Sequence, residues 1–149
     1  MVKPILTTFC LAAGYLLAPV AASDSVDDRL SERGWHKVWS DEFDAAEIDL
    51  SQWSFEQNCW GGGNGESQCY TNNAKNAYVE EGILKLVARR ETVSGAAQNE
   101  DSADYDPALT VTKGYSSARL RTLNKGDWTY GRFEIRAKLP SGQGTWPAI

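Results

Sequence analysis

At 149 residues, with 20 acidic against 15 basic side chains and one histidine, the chain carries a formal charge of −5. That acidity gives no electrostatic basis for nucleic acid or an anionic membrane surface as a partner, and neutral ligands fit better. No internal repeat, low-complexity tract or linker marks a second domain.

Residues 1–22 have the layout of a secretory signal peptide. Lys3 is the one charge, Ile5 to Val20 is apolar, and Val20-Ala21-Ala22 supplies the small residues for cleavage. The apolar run is shorter than a membrane span and is interrupted by Gly14 and Pro19, so a secreted or periplasmic protein is expected, with no membrane span. Cys10 leaves with the leader. Residues 23–34 are polar and read as an N-terminal arm.

Cys59 and Cys69 remain, ten positions apart. In an oxidising compartment such a pair is expected as a disulfide closing a small loop. Metal ligation is the competing reading, but no histidine or further cysteine lies near them in the sequence, the single histidine being His36.

Trp35 to Phe43 reads as a strand entering the core. Asp44 to Trp53 follows as a mixed, acidic stretch with Ile48, Leu50 and Trp53 as anchors. Gln57 to Gly65 is a glycine-rich loop. Ala77 to Glu80 and Ile83 to Arg90 flank Glu81-Gly82, a short-hairpin signal. Glu91 to Lys113, low in apolar residues, reads as a long surface loop, and Tyr115 to Thr122 as another strand. Thr129 to Leu139 has the clearest strand pattern: Phe133, Ile135, Ala137 and Leu139 alternate with Arg132, Glu134, Arg136 and Lys138. Short strands between turn signals predict an all-β, antiparallel β-sandwich. The six tryptophans and six tyrosines suit stacking on the apolar faces of sugar rings, but they serve equally as core.

Five motifs in order carry a resemblance: Trp39-Ser-Asp-Glu-Phe-Asp, Trp53, Asn64-Gly-Glu-Ser-Gln-Cys-Tyr-Thr, Tyr130-Gly-Arg-Phe-Glu-Ile-Arg-Ala-Lys-Leu-Pro and Gly144-Thr-Trp-Pro-Ala-Ile. Together they resemble glycoside hydrolase family 16 over residues 35–149, with the bacterial laminarinases, hydrolases of β-1,3-glucan, the nearest in appearance. The resemblance implies a jelly-roll of two curved antiparallel sheets, concanavalin-like, with a sugar cleft on the concave face. It also implies a retaining mechanism, in which two carboxyl groups about 5–5.5 Å apart act as nucleophile and acid/base. In the family both come from a Glu-x-Asp-x-x-Glu strand, or one a residue longer, that follows the Trp-Pro-Ala segment. That strand is expected beyond Ile149, so the 149 residues are expected to be the N-terminal portion of the domain and inactive alone, with no catalytic residue among them.

Glu47-Ile48-Asp49 mimics the start of that strand, but Gln52 and Trp53 occupy the places where its second Glu would fall; Glu47 and Asp49 are expected to be structural. Asp101, Asp104 and Asp106 lack the spacing of a calcium loop and read as a solvated loop. By resemblance Trp146 stacks on sugar near the cleavage point, with plain core as the bland alternative. Asn64 matches an asparagine that bonds glucose hydroxyls, with Glu66 and Gln68 orienting it. Here Gly65 stands for a second Asn and Cys69 for a Tyr, which departs from the family pattern. Arg119 either donates to a sugar hydroxyl or pairs with Glu134, and Arg132, Glu134 and Arg136 form a structural ion ladder.

No organic cofactor is expected. Calcium is compatible with the family, generally on the convex side, and the sequence assigns it no ligands. The full-length domain is expected to be a monomer acting on β-1,3- or mixed β-1,3-1,4-glucan. A β-glucan-binding protein without catalytic acids and a family 16 enzyme for another polysaccharide are the alternatives.

Overall fold

The structure, a computed structural model, describes Ser31 and residues 33–149. The predicted leader and most of the predicted arm lie outside the described residues. The chain divides into two units, Met1–Val38 and Trp39–Ile149. The described part of the first contains a turn in which the Gly34 amide donates to the Ser31 carbonyl at 3.0 Å. No helix among the described residues is long and apolar enough to cross a membrane.

In the second unit the regular elements are strands: β1 (Ser54–Phe55), β2 (Gln68–Tyr70), β3 (Ala77–Glu80), β4 (Ile83–Leu86), β5 (Arg89–Ala96), β6 (Thr110–Ser117) and β7 (Leu120–Arg121). They form a three-stranded sheet in the order β2-β6-β5 and two pairs, β1-β7 and β3-β4. The Glu81-Gly82 hairpin forms as the sequence predicts. Both turn residues have positive φ (53° and 70°), and Ala77 faces Leu86 while Glu80 faces Ile83.

Four readings of the sequence are corrected. Glu91 to Lys113 carries strand at both ends: β5 and β6 pair antiparallel from Arg89↔Ser116 to Ala96↔Thr110, with a bulge between Arg90 and Val93. Along β5, Glu91, Val93 and Gly95 are half-buried while Thr92 and Ser94 are exposed. The period of two is therefore present, but polar and small residues carry it, and apolarity gave no signal. Only 97–109 is a loop, a series of reverse turns closed by Ser102 N–Asn99 O, Tyr105 N–Ser102 O and Leu109 N–Asp106 O bonds of 3.0–3.1 Å. Second, β2 runs parallel to β6, with Cys69 facing Ser116, where an antiparallel neighbour was expected.

Third, Trp35 to Phe43 joins no ladder. Trp39 and Phe43 are held by ring packing instead: Trp39 meets Trp53 edge-on at 5.3 Å and Trp128 at 5.6 Å, and Phe43 stacks on Trp53 at 6.1 Å. Asp41 fixes this corner, accepting from the Phe43 amide at 2.8 Å and from the Trp53 indole at 2.7 Å. Leu50, predicted as an anchor, is exposed. Fourth, Thr129 to Leu139 has no paired strand among the described residues, and Phe133, Ile135 and Leu139 are exposed. A strand exists only through its ladder, since its backbone groups bond sideways. Arg132 and Glu134, two apart, nevertheless pair at 2.5 Å, as same-face neighbours of an extended chain do.

The interior is unusually polar. Among the described residues, Cys59, Gly61, Cys69, Ala77 and Ala118 are buried together with the polar Glu56, Asn58, Asn76 and Ser116. Such groups are tolerated only when bonded. Asn76 shows how: its amide donates to the Val87 carbonyl and the Ser116 hydroxyl, both at 2.9 Å, and accepts from Thr71 at 2.8 Å. Ser116 in turn donates to Glu91. Hydrogen bonding from Lys75 and Ser116 holds the Glu91 carboxyl below the usual carboxylate range. Asn76→Leu, similar in size but apolar, is expected to lower stability by about 1–3 kcal/mol for each buried partner left unbonded. Thermal unfolding measures this, and an unchanged midpoint would show that Asn76 does not tie these segments together.

Candidate functional site

The glycine-rich loop is closed by chemistry on both sides. Cys59 and Cys69 are joined by a disulfide, which contributes about 2–3 kcal/mol in the chain-entropy model for a loop of this size. It lies against β5, where a Cβ on Gly95 would come within 2.9 Å of the Cys59 sulfur. The Cys59 amide donates to the Ala96 carbonyl at 2.7 Å, and the Tyr70 amide to the Asn58 carbonyl at 2.8 Å. Inside the loop Gly62 has φ 60°, and a Cβ there would meet the Glu66 carboxylate at 2.7 Å. This position needs glycine both for its backbone and for the close approach of Glu66.

Glu66 is thereby turned onto Tyr70, whose hydroxyl donates to it at 2.5 Å, while Gln68 Nε2 donates to Glu66 at 2.9 Å and to the Tyr70 oxygen at 3.0 Å. Lys113 closes the same loop from β6, donating to the Glu66 carbonyl at 2.5 Å. Partial burial and the Glu66 carboxylate push the Tyr70 phenol up to about 12. Over the Tyr70 ring lies the Arg119 guanidinium, 5.2 Å from its centroid, a cation–π distance.

Arg119 follows β6 and precedes β7. Its Nη1 pairs with Glu56 at 3.3 Å, and its carbonyl accepts from the Glu56 amide at 3.0 Å. Asn58 Nδ2 donates to Glu56 at 3.0 Å and to Glu100 at 2.5 Å. Glu100 pairs with Arg121 at 3.2 Å, and Arg121 also pairs with Asp101. Glu56 and Glu100 thus lie close together, yet they do not make a catalytic pair. The Asn58 amide fills the space between them, and each carboxylate already answers an arginine.

The residues singled out in the sequence fall into three places. Glu66 and Arg119 are brought together through Tyr70. Asn64 is exposed at the loop tip, its amide bonded to the Gly61 carbonyl at 3.1 Å; Glu66 and Gln68 bond each other and Tyr70. Trp146 is 81% exposed in the extended C-terminal segment. Arg119 pairs with Glu56 and not with Glu134, whose partner is Arg132. Asp49 accepts from Ser51 and Gln52 and caps a turn, and hydrogen bonds from Ser51 and Gln52 hold its carboxyl below the usual range.

Among the described residues no group of three His, Cys, Asp or Glu side chains is placed to hold a metal ion. Glu56, Asn58 and Tyr70 were not singled out as site residues. Tyr70 sits inside the quoted motif, whereas nothing local to Glu56 or Asn58 marks either one. A cavity of about 310 Å³ beside the disulfide is lined by Gln57, Asn58, Tyr70, Thr71, Asn73 and Ser94 among others, none of them charged. The arrangement is suited to a neutral, hydroxyl-rich ligand: exposed donors, aromatic faces, and carboxylates committed to partners.

No protein-family model matches the chain. It is 45% identical, over 77% of its length, to a β-glucanase of Rhodothermus marinus, of which it covers 35%. It is 36% identical, over 78% of its length, to glucan endo-1,3-β-glucosidase A1 of Niallia circulans, covering 17% of that protein. The X-ray structure of the laminarinase from Rhodothermus marinus matches with a TM-score of 0.56 at 44% identity, over 72% of this chain and 37% of that one. The chain therefore spans about a third or less of the length of the curated relatives it matches. Its strands are part of an all-β jelly-roll sandwich. In sequence and in fold the chain is thus similar to part of a laminarinase.

The raised Tyr70 value fixes the sign of one pH effect. The folded state holds the phenolic proton above the pH at which the unfolded chain releases it, so this contribution to stability is complete below about pH 10 and is lost between about 10 and 12. Titration of the phenol by ultraviolet absorbance, comparing the protein with Tyr70→Phe, is expected to show one tyrosine ionising near 12. A difference spectrum with an ordinary tyrosine midpoint would contradict the Glu66–Tyr70 bond.

Proposed function

We propose that this chain is the N-terminal, cleft-forming part of an exported endo-β-glucanase that cleaves β-1,3- or mixed β-1,3-1,4-glucan with retention at the anomeric carbon. The observation that carries the reading is the 45% identity to a β-glucanase across 77% of the chain. On this reading the two catalytic carboxyls come from a Glu-x-Asp-x-x-Glu strand that follows Ile149. One attacks the anomeric carbon, and the other protonates the leaving oxygen and then activates water.

The residues of this chain bind and orient. Arg119 and Asn64 donate to sugar hydroxyls, Glu66 holds the loop in place through Tyr70, and Trp146 offers a ring face to a pyranose. Such a site needs no charge complementarity with its ligand, which agrees with the chain's net charge of −5 and a neutral glucan. No organic cofactor takes part, and the protein acts as a monomer on polysaccharide outside the cytoplasm.

Reducing-sugar release by the native protein, including any residues that follow Ile149, tests the reading. Laminarin and lichenan are expected to be cleaved, agarose and carrageenan not. Trp146→Ala is expected to raise KM for laminarin about tenfold, near 1.4 kcal/mol of lost binding. Cleavage of a galactan alone would overturn the substrate class. Retention of laminarin without cleavage would favour a non-catalytic β-glucan-binding protein.

A further inference from the structure

Glu56 has no role in the reading above, yet it is 3% exposed and spends both its backbone and its side chain on one residue. Its amide bonds the Arg119 carbonyl at 3.0 Å. Its carboxylate takes Arg119 Nη1 on both oxygens, at 3.3 and 3.4 Å. Asn58 fixes the carboxylate from the other side at 3.0 Å, and Asn58 is itself 1% exposed. The guanidinium is meanwhile seated on the Tyr70 ring, and that ring is pinned through its hydroxyl by Glu66 and Gln68.

A guanidinium carries five N–H donors in a rigid fork. Here one end is committed to Glu56 and one face to Tyr70, and the Arg119 side chain is still 41% exposed. Glu56 therefore decides which donors face solvent and in what direction. An arginine free to choose among rotamers would have to give up that freedom on binding, which weakens association.

We infer that Glu56 is a positioning residue for carbohydrate recognition: its buried carboxylate, braced by Asn58, fixes Arg119 over Tyr70 so that the open edge of the guanidinium meets the hydroxyls of a neutral glucan. The inference rests on the β-glucan reading of the site. Glu56 touches no ligand itself and acts through Arg119 alone.

Calorimetric titration of the protein with laminarihexaose in a non-hydrolysable, thio-linked form provides the test, using Glu56→Gln, Arg119→Met and the double variant. Glu56→Gln keeps the shape of the side chain and removes its charge. It is expected to weaken binding about tenfold in the wild-type background, the scale of one charged hydrogen bond left unaligned, and less than about twofold in the Arg119→Met background. A purely structural role would cost affinity equally in both backgrounds and would overturn the inference, as would unchanged affinity in Glu56→Gln. If Glu56→Gln does not fold, Glu56→Asp, which retains the charge on a shorter arm, is held to the same two-background criterion. Wild-type protein that fails to bind laminarihexaose would overturn the β-glucan reading and this inference together. Wild-type binding with an unaffected Glu56→Gln removes the inference alone.

Discussion

The side chain of Asn58 is the constraint on which the rest of the site depends. One buried amide donates to two carboxylates, Glu56 and Glu100, and its oxygen accepts from the Trp60 amide at 3.1 Å. Its own carbonyl holds Tyr70. Without it, two acids would face each other across a small gap in a partly dry interior, where like-charge repulsion is strong. With it, each acid is free to pair outward with its own arginine. Arg119 and Arg121 are separated by one residue, and Asn58 sets the two carboxylates that meet them.

This explains why a polar interior is compatible with a stable local structure. Asn58, Asn76 and Ser116 are among the largest fully buried side chains, and each spans segments far apart in sequence. Apolar contacts are forgiving in direction, whereas hydrogen bonds are not. A polar interior therefore specifies geometry more tightly than it adds stability. The disulfide adds the stability that small buried residues do not supply, and it does so at the loop where geometry matters most, next to Glu66 and Tyr70. The loop residue Glu66 and the half-exposed Arg119 are thus members of one bonded network, Glu66–Tyr70–Arg119–Glu56–Asn58.

Much of this was legible in the sequence, and the exceptions have physical causes. The Glu81-Gly82 turn was readable because only a few residue pairs place two positive φ angles in succession. The family resemblance was readable from motifs that keep their order and spacing. Most of β5 and the first part of β6 were missed; β5 alternates through Glu91, Val93 and Gly95 against Thr92 and Ser94, a period carried by polar and small residues with little apolar signal. The parallel pairing of β2 with β6 depends on the loop between Cys59 and Cys69, a tertiary constraint with no local signature. Thr129 to Leu139 shows the converse: a well-patterned sequence declares a strand, but the ladder that would complete it is not formed among the described residues. Glu56 and Asn58 were invisible for a simpler reason. Their significance lies in arginines and a glutamate more than 40 positions away.

The central claim is that Arg119, held by Glu56 and Tyr70, and the Asn64 loop form one surface for a neutral glucan. A nuclear magnetic resonance titration with laminaritetraose, following the Arg119 Nε–H and the backbone amides of Asn64 and Gly65, tests it most directly. The account predicts that these resonances shift together along one saturable curve. Binding of the oligosaccharide with those signals unmoved would contradict it.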